Sequence, residues 1–279
     1  FTLVAGTDVL GICLGMRGLW LPALVPGALA VLLWIVLNYG LLSSMVLAGN
    51  RPSLRDIGGA WLIWVVATQT VSILATSIAP DLGNAVRTGI VTVAVTMWSI
   101  GVMLYLVFIV VIFLRLLLVE TTPAELGPGY WILMGATAIS VRAGAGLLEL
   151  GAQDRMPLLR ELHAFTTGVS VMLWSFGSWF IPLLVLIGVW RHVIHRYSSR
   201  YEPSLWRGVF PLGMYAEATF ALGGQLGAGV MRAIATGAFW LGLAAWVVVV
   251  ALMFVAVIRR GDPRAPTAGR SRHPQRAEP

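Results

Sequence analysis

The sequence predicts an all-α integral membrane protein folded as successive helical hairpins, and three observations carry that prediction. Of the 279 residues 58% are hydrophobic and 11% charged, with a mean hydropathy of +0.85; a soluble domain carries roughly a quarter charged residues. That excludes a soluble enzyme. Apolar runs recur at the length a bilayer demands, about 20 residues for a ~30 Å hydrocarbon core. Successive runs also alternate between two compositions.

Taken in order, the predicted spans are approximately 1–15, 21–47, 57–79, 88–118, 129–149, 162–190, 206–230 and 234–258, eight helices. The first is short. The breaks between spans fall on dense turn chemistry: MRG at 16–18, GNRPS at 49–53, APDLGN at 79–84, TTPAELGPG at 121–129 and AQDRMP at 152–157. Residues 1–258 form one transmembrane domain. The tail 259–279, rich in Pro, Arg and Ser, reads as disordered and basic. Phe1 stands inside an apolar segment with no leader, which predicts a chain whose beginning is missing.

Arginine alone supplies the basic residues, 19 of them, and their distribution predicts orientation. Thirteen lie on one side: Arg51, Arg55, Arg115, Arg191, Arg196, Arg200, Arg207 and six in 259–279; five lie on the other: Arg17, Arg87, Arg155, Arg160 and Arg232. The positive-inside rule then places the C-terminus in the cytoplasm, and the setting is a bacterial inner membrane. The sequence pI near 10.5 is therefore a matter of topology, and no nucleic-acid partner is expected. Cys13 is the single cysteine, which rules out disulfides within the chain and thiolate clusters.

The odd-numbered spans read FTLVAGTDVLG, WLIWVVATQTVSILATS, YWILMGATAISVRAGAG and VFPLGMYAEATFALGG, mixing small residues, hydroxyls and an amide or charge. The even spans are bulky, as in MLYLVFIVVIFLRLLL. Lipid gives no reason to prefer Thr, Gln or Ser, whereas helix contacts do. An inner layer of odd helices and an outer layer of even ones follows. Two readings of the inner polar groups stay open: they line a polar pathway, or they allow close helix packing. Thr68, Gln69, Thr137, Ser140 and Thr219 are the candidate lining groups.

Asp8, Arg142 and Glu217 are ionisable groups within odd spans, each costing a few kcal/mol at the bilayer centre unless it meets a partner or a cavity. At 1.5 Å per residue, Glu217 lies roughly 16 Å past Trp206 and Arg142 roughly 18 Å past Tyr130, so the two reach a similar depth. Pairing of Arg142 with Glu217 or with Asp8, and direct contact of Arg142 with a permeating anion, are the alternatives. Pro211, near Gly213, frees the carbonyl of Arg207 and predicts a kinked helix, tolerated where protein or water lines the backbone. The kink serves either a pathway or packing.

No phosphate-binding loop and no HExxH occurs. His163, His192 and His195 read as isolated or interfacial, and Ser175 has no histidine or acid at catalytic spacing. No catalytic group, metal or cofactor is implied.

FTLVAGTDVLG, GAWLIWVVATQTVSIL, PGYWILMGATAIS, FGSWFIPLLVLIGVWRH and LWRGVFPLGMYAEATFAL together resemble the tellurite-resistance/C4-dicarboxylate transporter family, which includes bacterial channels, fungal malate and sulfite transporters and plant slow anion channels. The similarity runs to about Ile258, and the last two motifs are the most specific. It implies ten helices in five hairpins around a central pore, in a trimer with one pore per protomer. FTLVAGT resembles the family's third helix, so the resemblance leaves the first hairpin missing here. It also implies a phenylalanine gate, matched by Phe210 beside Pro211, with Phe220 further along the same helix. Glu217 departs from the family's weakly charged lining.

The expected function is transport of small anions: C4-dicarboxylates, sulfite, tellurite-type oxyanions, or halide and nitrate. The rival expectation is a non-conducting membrane subunit.

Overall fold

The computed structural model describes residues 1–153, 156–197 and 201–261. In a hydrocarbon solvent every backbone N–H and C=O must be paired within the chain, and the apolar runs accordingly form helices, with no strand among the described residues. They are α1 (Thr2–Gly15), α2 (Trp20–Val46), α3 (Ile63–Ile78), α4 (Asn84–Leu118), α5 (Ile132–Gln153), α6 (Pro157–Val189), α7 (Trp206–Leu226) and α8 (Gly229–Gly261). Six of these, with their flanking turns, are long and apolar enough to cross a membrane; α1 is apolar but shorter, and α7 is more polar. The protein is an integral membrane protein. From Asp262 onward the expected tail lies outside the described residues, while the backbone of Arg259 and Arg260 continues α8.

Four successive hairpins, α1–α2, α3–α4, α5–α6 and α7–α8, each pack along their length. The odd helices also pack side by side in the order α1, α3, α5, α7. Burial separates the layers: in their most apolar stretches 83% of α3 and 89% of α5 is buried, against 17%, 39%, 22% and 11% for α2, α4, α6 and α8. The inner row is an arc. Helix α7 packs on α5 and α8, and among the described residues it has no comparable packing against α1.

Local chemistry explains the joints. Gly227 adopts the left-handed conformation (φ +63°) that ends α7 and turns the chain into α8. Arg87 donates to the carbonyls of Ala79, Pro80 and Leu82, closing the α3–α4 turn. Three inner helices are entered through 3-10 turns, Gly59–Leu62 before α3, Pro128–Trp131 before α5 and Pro203–Leu205 before α7, and neighbouring turns pack on one another. The glycines in GGAWL and GPGYW permit this: a Cβ on Gly59 would lie 2.8 Å from the carbonyl carbon of Gly129 and 2.9 Å from Cα of Tyr130. Outer helices α4 and α6 meet through rings, Phe113 against Phe180 (centroids 5.7 Å) and Tyr105 against Phe176 (6.4 Å).

Candidate functional site

The polar side chains of the inner helices point mostly away from the centre of the arc. Thr68 accepts a hydrogen bond from the Trp34 indole of α2 (2.8 Å), and Thr219 accepts one from the Trp174 indole of α6 (3.0 Å). Gln69 donates to Ser140 Oγ (3.0 Å) and to the Trp98 carbonyl (3.2 Å), and the Trp98 indole donates to the carbonyl of Ser140 (3.0 Å). Thr137 packs against Gly177 of α6, where a Cβ would overlap its hydroxyl. All five of these inner residues are buried, and none lines the central cavity. The expected lining hydroxyls are thus a seam between layers. Thr68 and Thr219 supply acceptors that outer-helix indoles lack in lipid, Gln69 donates across to α4 and α5, and Thr137 fits against a glycine at a helix crossing. Replacing Trp174 by Phe should destabilise the protein by about 0.6 kcal/mol and at most ~2, the range for hydrogen bonds between membrane helices. A thermal-unfolding comparison against Thr219→Val and the double variant checks it: additive losses would disprove the bond.

What the inner helices do present to the centre is an apolar stripe. A cavity of about 720 Å³ lies between α1, α3, α5 and α7. From α7 it is lined by Trp206, Phe210, Met214 and Glu217, spaced so as to share one helix face. Ile63, Val66, Thr70 and Ile73 do the same from α3, and Ile132, Ile139 and Arg142 from α5. Phe210 is 42% exposed, with its ring in this cavity wall. Pro211, next to it, points the other way, onto α5: a Cβ on Gly135 would come within 2.9 Å of the proline ring. Gly213 lies against α8, near Gly242. The α-helix runs through Pro211 from Trp206 to Leu226, so the proline is accommodated without a break.

Arg142 and Glu217 meet. The guanidinium Nε donates to Glu217 Oε1 at 2.8 Å, and Nη1 lies 3.7 Å from Glu149 Oε2. Both Arg142 and Glu217 line the cavity, Glu217 two helical turns beyond Phe210 on α7, about 10 Å at the helical rise per residue. Asp8 does not take part; it is fully buried and accepts from Thr70 Oγ1 at 2.7 Å. Of the sequence-predicted residues, the structure brings together Phe210, Arg142 and Glu217. It adds Thr70, Trp206 and Arg207 to the lining. The signal for Trp206 and Met214 was present, since both lie one helical turn from Phe210.

Hairpins whose inner helices wall a cavity, its lining mostly apolar but holding the Arg142–Glu217 pair and Arg207, fit a membrane protein of the channel or carrier class. The chain matches the model of the voltage-dependent anion channel family (SLAC1) over residues 1–254, and it belongs to that family. It is 40% identical to an uncharacterized membrane protein of Mycobacterium tuberculosis over 159 residues, 57% of this chain and 77% of that one. It is 25% identical to an uncharacterized transporter of Methanocaldococcus jannaschii over 196 residues, 70% of this chain and 55% of that one. It is also 25% identical to the sulfite efflux pump SSU1 of Arthroderma otae over 221 residues, covering 75% of this chain and 56% of the pump. The chain thus spans about half the length of the latter two. No solved structure matches it.

Proposed function

We propose that the protein passes small anions across the membrane along the cavity between α1, α3, α5 and α7, with Phe210 as the gate and Arg142 as an attractive charge. The observation that carries this reading is the position of the Phe210 ring in the cavity wall, between Trp206 and Met214 and short of the Arg142–Glu217 pair. An apolar constriction holds back ions because they would have to shed water there, and weak attraction beyond it suffices for conduction. The name of one relative, a sulfite efflux pump, favours sulfite as the first anion to try; C4-dicarboxylates, tellurite-type oxyanions, halide and nitrate follow. The arginine excess at the end where α3, α5 and α7 begin supports a cytoplasmic C-terminus. A homotrimer with one pathway per protomer completes the proposal.

Anion flux into proteoliposomes tests it. Phe210→Ala should raise sulfite flux on the order of tenfold, equivalent to ~1.4 kcal/mol removed from the barrier. Unchanged flux in a folded variant would remove Phe210 from the role.

One observation favours a second reading, a membrane subunit that does not conduct: the inner arc is open between α1 and α7 among the described residues. Absence of flux from both wild type and Phe210→Ala, each correctly folded, would establish it.

A further inference from the structure

Beside the mouth of the central cavity, the 3-10 turns that enter α3 and α5 enclose a second, polar pocket of about 400 Å³ with the start of α7 and the end of α6. Four arginines line it: Arg55, Arg115, Arg191 and Arg207. Two of these, Arg115 and Arg191, are 4% and 5% exposed, and their partners differ sharply. Arg115 donates to the Tyr130 hydroxyl and the Arg55 carbonyl, and it lies 3.6 Å from the Glu125 carboxylate. It is a structural tie with its donors spoken for.

Arg191 has no such ties. Its Nε and Nη1 are buried and without a hydrogen-bond partner. Among the described residues its charge-related contact is the Tyr197 ring, 4.1 Å from the guanidinium carbon. Burying donors of a cation unpaired is costly, so the local backbone must hold the side chain there. It does so in three ways. Helix α6 ends in a π-helical turn, Trp190–Ile194, a rare form that is frequent at functional sites. Arg196 takes a left-handed φ of +48°, rare for a residue other than glycine, in the turn that places Tyr197 over the guanidinium. Gly127 leaves room for the group: a Cβ there would lie 2.7 Å from Nη1.

The acidic residues of the pocket do not neutralise Arg191. Asp56 accepts from the backbone N–H and the hydroxyl of Ser53, and that bonding holds its carboxyl below the usual carboxylate range. Glu125 faces Arg115 and accepts from the Thr122 N–H. Glu202 is exposed and accepts from Ser204 Oγ at 3.2 Å. Arg191 is left as a desolvated fork of donors on the wall of a polar chamber with room for a small anion, the arrangement that suits the oxygens of a carboxylate, sulfite or sulfate.

We propose that this pocket binds a small oxyanion on Arg191, with Arg207 as the second cation. Arg207 lines both this pocket and the central cavity, so the bound anion is placed to enter the latter. That onward step rests on reading the central cavity as the pathway; the binding itself does not.

Thermal unfolding of the purified full chain in detergent tests the site with sodium sulfate as probe, against sodium chloride at equal ionic strength. Sulfate should stabilise the wild type saturably. Arg191→Gln should weaken the half-saturating concentration roughly tenfold or more, the scale of a lost charged hydrogen bond. Gly127→Ala keeps the charge but displaces the guanidinium, and should weaken binding as well; it serves if Arg191→Gln does not fold. Glu202→Gln should bind sulfate at least as well as wild type. Equal effects of sulfate and chloride, or undiminished binding in both Arg191→Gln and Gly127→Ala, would overturn the site. Binding that emerges only in Glu202→Gln would make that carboxylate the resident, and stabilisation by phosphatidylglycerol nanodiscs but not by sulfate would assign the pocket to lipid; either overturns it. Arg191-dependent sulfate binding in a protein that passes no anion would uphold the pocket and sink only the pathway.

Discussion

Gly59→Ala should cost the protein roughly 3 kcal/mol or more, the upper range for overpacking, because the new methyl has nowhere to go. Its nearest neighbours are all backbone, the carbonyl oxygen of Gly129 first, then the carbonyl carbon of Gly129 at 2.8 Å and Cα of Tyr130 at 2.9 Å, and backbone cannot swing aside as a side-chain tip does. The clash would pry apart the entry turns of α3 and α5, the two most buried helices. Gly89, on α4, has no atom within 4 Å of an added Cβ and makes a matched control. Gly59→Ala should lower the yield of monodisperse protein and its melting temperature, while Gly89→Ala leaves both near wild type. If the two variants behave alike, the turn-on-turn contact does not hold the arc together.

Breaking the Arg142–Glu217 pair should separate two roles of Glu217. Among the described residues Glu217→Gln leaves Arg142 with Glu149, at 3.7 Å, and each single variant should lose stability. The pair stands in a cavity with Glu217 56% exposed, so solvent screens it and the expected coupling is modest, on the order of 1 kcal/mol in a double-mutant cycle. The effect on flux should be larger and of opposite sign for the two residues. Removing a carboxylate from an anion pathway should raise flux in Glu217→Gln, and removing the cation should lower it in Arg142→Gln. Unfolding midpoints and proteoliposome flux on the same four proteins provide the check. Independent effects on stability would mean that the 2.8 Å contact carries no coupling, and flux changes of the same sign would mean that neither charge acts on the permeating ion.

The helices and their layering were legible because lipid makes the rule simple. A span needs a minimum apolar length, and a helix facing protein has more reason to carry Thr, Gln or Ser than one facing lipid. The starts of α4, α6 and α8 lie four or five residues earlier than their apolar runs suggest, at 84, 157 and 229. Those first turns extend beyond the most apolar stretch, and hydropathy does not see them. The depth match of Arg142 with Glu217 was also within reach, since rise per residue fixes it once both helices run the same way.

Which face each polar residue occupies was not. Thr68 and Thr70 stand two residues apart on α3, yet one receives an indole from α2 and the other lines the cavity and donates to Asp8. Composition treats them alike; helical phase separates them, and phase is set only when neighbouring helices pack. The same holds for Arg191. In sequence it is one of many arginines at a helix end. Only the π-turn of α6, the gap left by Gly127 and the ring of Tyr197, three pieces distant in the chain or irregular in backbone, make it buried and unpaired. Apolar length and period are local properties, so the sequence carries them; the direction of a side chain is a property of contacts between segments far apart, and it exists only once they meet.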